Sequence, residues 1–380
     1  MEQILKERGQ FDLNIGFFDD LFNADELSCI DQPIAACAGI YDLDYYYMYS
    51  FYIIYLTNWS YPLYGSFLEM RNYILSKVNL KIVEQVVETD QFINTLKKNI
   101  ESGIVSILYL RRQSLVYDQG YGDKKYDSLH GILVTGYNKR CPTICIRDVA
   151  HIERSGARYQ GSGYGFFRLW IKDSILKEMW EEYESLCDDT EFLHKIFTMQ
   201  KIESGEKRVS YINIIEDILK NGNFQINNFI EQMDIVSEEL SLLKEKDFSV
   251  SLRRIYVLPK KAFFKILHIA CQRLNISERN LSEIEYQYII LQEQIINRLS
   301  IWAEKGKKID EIKYESAKEK LGKLDMKIKN FLLNINWKIP NIEFNVATIT
   351  KILSIYCVFI LLKLATISYR KNIPIYKQVP

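Results

Sequence analysis

The stretch Ser128-Leu-His130-Gly-Ile-Leu-Val-Thr-Gly136-Tyr-Asn-Lys-Arg140-Cys-Pro-Thr-Ile-Cys-Ile-Arg-Asp148 reads as two β-strands joined by a turn. The apolar runs on either side of Asn-Lys-Arg-Cys-Pro are the pattern of a hairpin with both strands largely buried. If Lys139 sits at the turn centre, His130 and Asp148 lie nine residues to either side of it and stand opposite each other. Opposed residues of an antiparallel pair share a face, with Cβ atoms about 5 Å apart. An imidazole and a carboxylate so placed hydrogen-bond, which holds the ring in one tautomer. The hairpin thus offers a base and its orienting acid. It lacks a nucleophile.

The best placed nucleophile is Cys29, about a hundred residues upstream. Ile30 to Ile40 reads as a helix, and Pro33, tolerated only in a first turn, pins its start near Cys29. A helix start presents free N–H groups and the positive end of the dipole, which favour a thiolate. The competing reading is a small buried hydrophobe, and Cys37, inside Ala-Ala-Cys-Ala, fits that description. For a developing oxyanion the candidate donors are the Cys29 backbone N–H, Asn23 six residues before it, and Gln32 within the helix. His151 is a rival base close to Asp148 in sequence. His194 and His268 stand in a helical region without evident partners.

Outward from these residues, the chain divides into a mixed region, 1–190, and a helical region, 191–380. In the first, helices are expected at Asp42 to Thr57, Arg71 to Val78, Asp90 to Ser102 and Lys172 to Leu186. Strands are expected at Leu80 to Val87, Gly103 to Leu110 and Phe166 to Ile171. Gln113 to Asp127 is a loop rich in Asp, Gly and Tyr. In the second region, Tyr211 to Leu219, Phe229 to Leu243 and Lys305 to Trp337 read as amphipathic helices. Ser282-x-x-Glu285 reads as a capping box, followed by a helical stripe of Ile284, Tyr288, Leu291, Ile295, Leu299 and Trp302. Helices followed by a sheet indicate an α+β domain, 1–190, with an all-helical domain, 191–380, behind it.

Composition narrows the function classes. Lys plus Arg equals Asp plus Glu at 49 each, so no polyanionic partner is indicated and nucleic acid is not expected. The N-terminal Met-Glu-Gln-Ile-Leu-Lys-Glu-Arg-Gly is charged where a signal peptide would be apolar. The seven Cys are scattered and odd in number, which fits reduced thiols in a cytoplasmic protein. Cys141 and Cys145 form a lone C-x3-C pair that, on one strand, would share a face; without further ligands no metal site is expected. Ile352 to Leu362 is continuously apolar but about half the length of a span. It reads as a buried helix, with a tail anchor or interfacial helix as the alternative.

A Cys at a helix start, a His opening a strand and an Asp on the next strand resemble, in this order, the papain-like cysteine peptidase fold. His130-Gly-Ile-Leu-Val-Thr-Gly-Tyr followed by Ile-Cys-Ile-Arg-Asp148 is similar to its C39-like branch. Together with Leu27-Ser-Cys29-Ile-Asp-Gln-Pro-Ile-Ala-Ala and the Tyr-rich Asp44 to Tyr49, it resembles the butirosin biosynthesis protein H-like family and the closthioamide-type amide-forming cysteine peptidase homologues. The resemblance covers residues 20–185. It implies a two-lobed papain-like domain with Cys29, His130 and Asp148 as a triad. It further implies transfer of an acyl group from the phosphopantetheine arm of a separate acyl carrier protein to an amine, with no bound cofactor. Papain-like peptidases carry a Gln before the Cys as oxyanion donor, whereas here Asn23 stands at the sixth place upstream. The alternatives are a peptidase or amidase using water, and a non-enzymatic binding or resistance protein on the same fold.

Overall fold

The computed structural model describes residues 10–13, 27–58, 67–118, 121–124, 128–148, 167–186, 192–202, 210–221, 257–305 and 311–337. The described residues form helices and one antiparallel sheet, and the chain divides into two compact units, Met1–Leu333 and Asn334–Pro380. Of the second, the described part is residues 334–337. Asn23, His151, the segment Phe229 to Leu243 and the apolar stretch Ile352 to Leu362 lie outside the described residues. No helix among the described residues is long and apolar enough to cross a membrane.

After the short strand β1 (Gln10–Asp12) come three helices, α1 (Asp31–Tyr41), α2 (Leu43–Asn58) and α3 (Phe67–Ser76). They are followed by β2 (Leu80–Val86), α4 (Phe92–Glu101) and β3 (Ser106–Arg111). The hairpin is β4 (Leu129–Asn138) and β5 (Thr143–Asp148), and β6 (Phe167–Lys172) and α5 (Asp173–Leu186) complete the region. The ends fall within a few residues of those expected.

The strands run in the order β2, β7, β3, β4, β5, β6, all antiparallel, and β7 is Lys195–Lys201. This corrects the reading of 191–380 as all helical: a strand from beyond residue 190 sits between β2 and β3. Its short Ile-Phe-Thr-Met core, bounded by Lys residues, is too brief to stand out beside long amphipathic helices. β1 lies beside the far half of β4, from Gly136 to Asn138, where β3 no longer reaches. From Ser106 to Leu110 on β3 and from His130 to Tyr137 on β4 every residue is buried, so both faces of the sheet centre are covered.

α1 packs on β4 and β7, and its Ile34-Ala-Ala-Cys-Ala38 run is at most 1 % exposed. These small side chains let the helix lie close to its neighbours. Cys37 is the buried hydrophobe expected of it, its thiol pushed up by burial. α2, buried at Tyr46, Tyr49, Phe51 and Ile53, is a central helix wrapped by others. On the other flank, Trp180 of α5 stacks on Phe92 of α4, with ring centroids 4.1 Å apart.

The later helices are α6 (Tyr211–Asn221), α7 (Leu258–Arg273), α8 (Arg279–Lys305) and α9 (Glu311–Trp337). On α8, Ile284, Tyr288, Ile295 and Leu299 are buried as the stripe required. The capping box is not there. Ser282 lies inside α8, where its hydroxyl donates to the Glu278 carbonyl. Glu285 instead pairs with His268 at 2.8 Å, and Glu278 takes the other ring nitrogen at 2.7 Å. His268 is therefore a clamp between α7 and the start of α8, not a residue without partners.

Candidate active site

The site begins with the turn that starts α1. The Gln32 N–H donates to the Ser28 carbonyl at 2.9 Å, so helical bonding begins at Ser28 and Cys29 stands in the first turn. Ser28 and Asp31 cap it: the Asp31 N–H donates to Ser28 Oγ at 3.2 Å, and the Ser28 hydroxyl donates to Asp31 Oδ2 at 2.8 Å. Asp31 is itself fixed from behind. Tyr49 donates to Oδ1 at 2.9 Å, while Arg71 reaches both oxygens at 3.1 and 3.3 Å. The Arg71 guanidinium lies over the Phe67 ring at 4.3 Å. A buried, paired carboxylate thus anchors the residue two places after Cys29.

Gln32, proposed from sequence as an oxyanion donor, is 1 % exposed and donates its Nε2 to the Leu27 carbonyl at 2.9 Å. It braces the backbone ahead of Cys29. In a helix's first turn the backbone N–H groups have no intrahelical acceptor, which leaves that of Cys29 as the remaining sequence-derived donor among the described residues.

Cys29 is half-buried, and its Sγ lies 3.7 Å from the carbonyl of Leu129, the first residue of β4. Gly131 explains how the turn comes so close. A Cβ there would stand 2.9 Å from each of the Cys29 carbonyl oxygen, Pro33 Cγ and Tyr109 Cε1. The Gly after His130 is needed so that the first turn of α1 can rest on β4.

His130 follows, 5 % exposed, with Nε2 2.6 Å from Oδ1 of the fully buried Asp148. Burial opposes a charge on this ring. The charge and hydrogen bond of Asp148, joined by a hydrogen bond to Cys29, outweigh it and lift the imidazole to about 10. With Nε2 on Asp148, Nδ1 is left for the thiol. Asp148 Oδ2 accepts a hydrogen bond from the Tyr117 hydroxyl at 2.7 Å.

The hairpin register differs from the expectation. Asn138 pairs with Thr143 and Tyr137 with Ile144, so the turn is centred between Arg140 and Cys141, not at Lys139. In that register even residues of β4 face odd residues of β5, and Asp148 would point away from His130. A β-bulge between Val134 and Gly136 makes Thr135 an extra residue, and beyond it Val134 pairs with Ile146 and Leu133 with Arg147. Parity is restored and Asp148 joins the His130 face, two residues along from the directly opposed position. Cys145, three residues from Asp148, falls on the opposite face of β5; it is fully buried beside Thr135. Cys141 is exposed in the turn, outside the strand, so the C-x3-C pair does not share a strand face.

The structure therefore brings together Cys29, His130 and Asp148. Tyr117, Arg71 and Gly131 escaped the sequence reading. Gly131 had a signal, being a Gly inside an apolar strand. Tyr117 and Arg71 had none, since their partners lie 31 and 40 residues away. No protein-family model matches this chain, and comparison with curated proteins finds no relative.

Proposed function

We propose that this chain is a thiol-dependent acyltransferase that forms an amide from a carrier-bound acyl thioester and an amine, through an acyl-Cys29 intermediate. It would belong to the papain-like, C39-like proteins of the butirosin biosynthesis protein H-like type, act in the cytoplasm and bind no cofactor. The observation that carries the reading is the buried His130–Asp148 pair, with the Cys29 thiol beside it against the Leu129 carbonyl.

An imidazole lifted to about 10 is cationic at neutral pH and stabilises a Cys29 thiolate beside it. The thiolate attacks the thioester carbonyl, with the first-turn N–H of α1 facing the developing oxyanion. As the new C–S bond forms and the old one breaks, His130 gives its proton to the departing phosphopantetheine thiolate. The imidazole is then neutral and free to act as base. It takes a proton from the incoming amine, whose nitrogen bonds to the acyl carbon while Cys29 leaves as thiolate. The imidazolium–thiolate pair is restored. Asp148 holds the ring throughout.

The half-exposure of Cys29 favours a second reading, a peptidase or amidase in which water replaces the amine. Incubation with an acyl-carrier thioester and an amine separates the two. Amide as the main product supports transfer, and free acid alone supports hydrolysis.

A further inference from the structure

Asp148 is fully buried and has a donor on each oxygen: His130 Nε2 at 2.6 Å on Oδ1 and the Tyr117 hydroxyl at 2.7 Å on Oδ2. Burial, then the charge of Asp148, push the phenol well above its ordinary value, so it remains a donor across the working range. Tyr117 lies in the connection from β3 to β4, and the described residues around it, 112–118, are tied in place. Arg112 Nε donates to both oxygens of Asp118, at 2.9 and 3.0 Å. The Asp118 N–H donates to the Leu115 carbonyl at 2.8 Å, and that of Gly122 to the Gln113 carbonyl at 2.9 Å. The Arg112 N–H ties the segment to Ser128, two residues before His130. Leu115 is fully buried beneath it. The residues on either side of Tyr117 are thus fixed, and the phenol is delivered to one carboxylate oxygen.

We propose that Tyr117 is a positioning residue of this site, its hydroxyl locking the Asp148 carboxylate in line with His130. The inference rests on the reading that Cys29, His130 and Asp148 act together. A carboxylate held at one oxygen only can rotate about its Cβ–Cγ bond. Held at both, it keeps Oδ1 on the imidazole N–H. Tyr117 need not touch substrate to act in this way.

The test is the His130 titration, followed by NMR on protein with labelled histidine, together with the pH profile of Cys29 alkylation by iodoacetamide. In Tyr117→Phe the His130 titration should move down by about one pH unit, and the basic limb of the alkylation profile should move with it. Placing 4-aminophenylalanine at position 117 returns an N–H donor of nearly the same shape and should restore both. A Tyr117→Phe titration that coincides with the wild type, or moves upward, overturns the proposal even if the variant is less stable. So does a 4-aminophenylalanine protein that titrates like the Phe variant. Neither readout uses an acyl substrate. A failure here therefore leaves acyl transfer standing, and a failure of acyl transfer leaves this result readable.

Discussion

His130 and Asp148 are held 2.6 Å apart although they are not cross-strand partners. Each stands on its own strand two residues from the position opposed to the other, a diagonal that two polar side chains of this length can bridge. β4 carries one residue more than β5 needs, at Thr135. Deleting Thr135 removes the residue that has no partner on β5, so Gly136 opposite Cys145 and Val134 opposite Ile146 become consecutive pairs and Asp148 should stay on the His130 face. The raised His130 titration, measured by NMR, should therefore persist in this deletion, whereas in Asp148→Asn it should be lost and Cys29 alkylation at neutral pH should fall by at least about tenfold, as expected when a base loses its orienting acid.

Gly131→Ala places a methyl 2.9 Å from the Cys29 carbonyl, Pro33 and Tyr109. A backbone oxygen and two rings cannot all give way without moving the first turn of α1. The substitution should cost about 1–3 kcal/mol of stability in urea unfolding, and should slow alkylation of Cys29 because the thiol is carried away from His130. A variant as stable and as reactive as the wild type would show that this contact is soft.

The Asp31 carboxylate is buried and paired with Arg71. Asp31→Asn leaves the guanidinium, 13 % exposed, without its counter-ion, and should cost roughly 3 kcal/mol by urea unfolding. Because the same carboxylate caps the turn at Ser28, the loss should be accompanied by faster amide hydrogen exchange at position 31 and at Gln32, whose N–H groups donate to Ser28. Unchanged exchange there would separate the pair from the Cys29 turn.

The His130–Asp148 pair makes stability depend on pH in a stated direction. The folded imidazole titrates at about 10, above its ordinary 6.5. Its contribution is complete below 6.5 and is lost as the pH rises through 10. Wild type should therefore lose roughly 3 kcal/mol more than Asp148→Asn between neutral pH and the alkaline side of that titration, read as the difference of two urea series. Parallel series would contradict the assignment of the shift to Asp148.

How much of this was legible in the sequence follows the range of each interaction. Pro33 marked the start of α1, and the alternation and apolar runs marked β2 to β6, because those signals are local. The pairing of His130 with Asp148 was anticipated on a register that is wrong. A four-residue turn from Lys139 to Pro142 and a bulge at Thr135 both escape periodicity, and their two shifts cancel in parity. β7 was missed because its place between β2 and β3 is set by pairing across 90 to 121 residues. Tyr117 and Arg71 gain their roles only from the fold, since nothing in a polar loop or a helix surface indicates which buried carboxylate it will meet. His268 was read as alone for the same reason: of its two glutamates, Glu278 stands just before the next helix and Glu285 within it.

The central claim is that Cys29 carries the acyl group. Intact-protein and peptide mass spectrometry after brief exposure to an acyl-carrier thioester, with the amine withheld, measures it directly. The expected result is one acyl group on the Cys29 peptide, absent in Cys29→Ala and formed far more slowly in His130→Ala. An unmodified Cys29 in the wild type, or an equal adduct in Cys29→Ala, would contradict it.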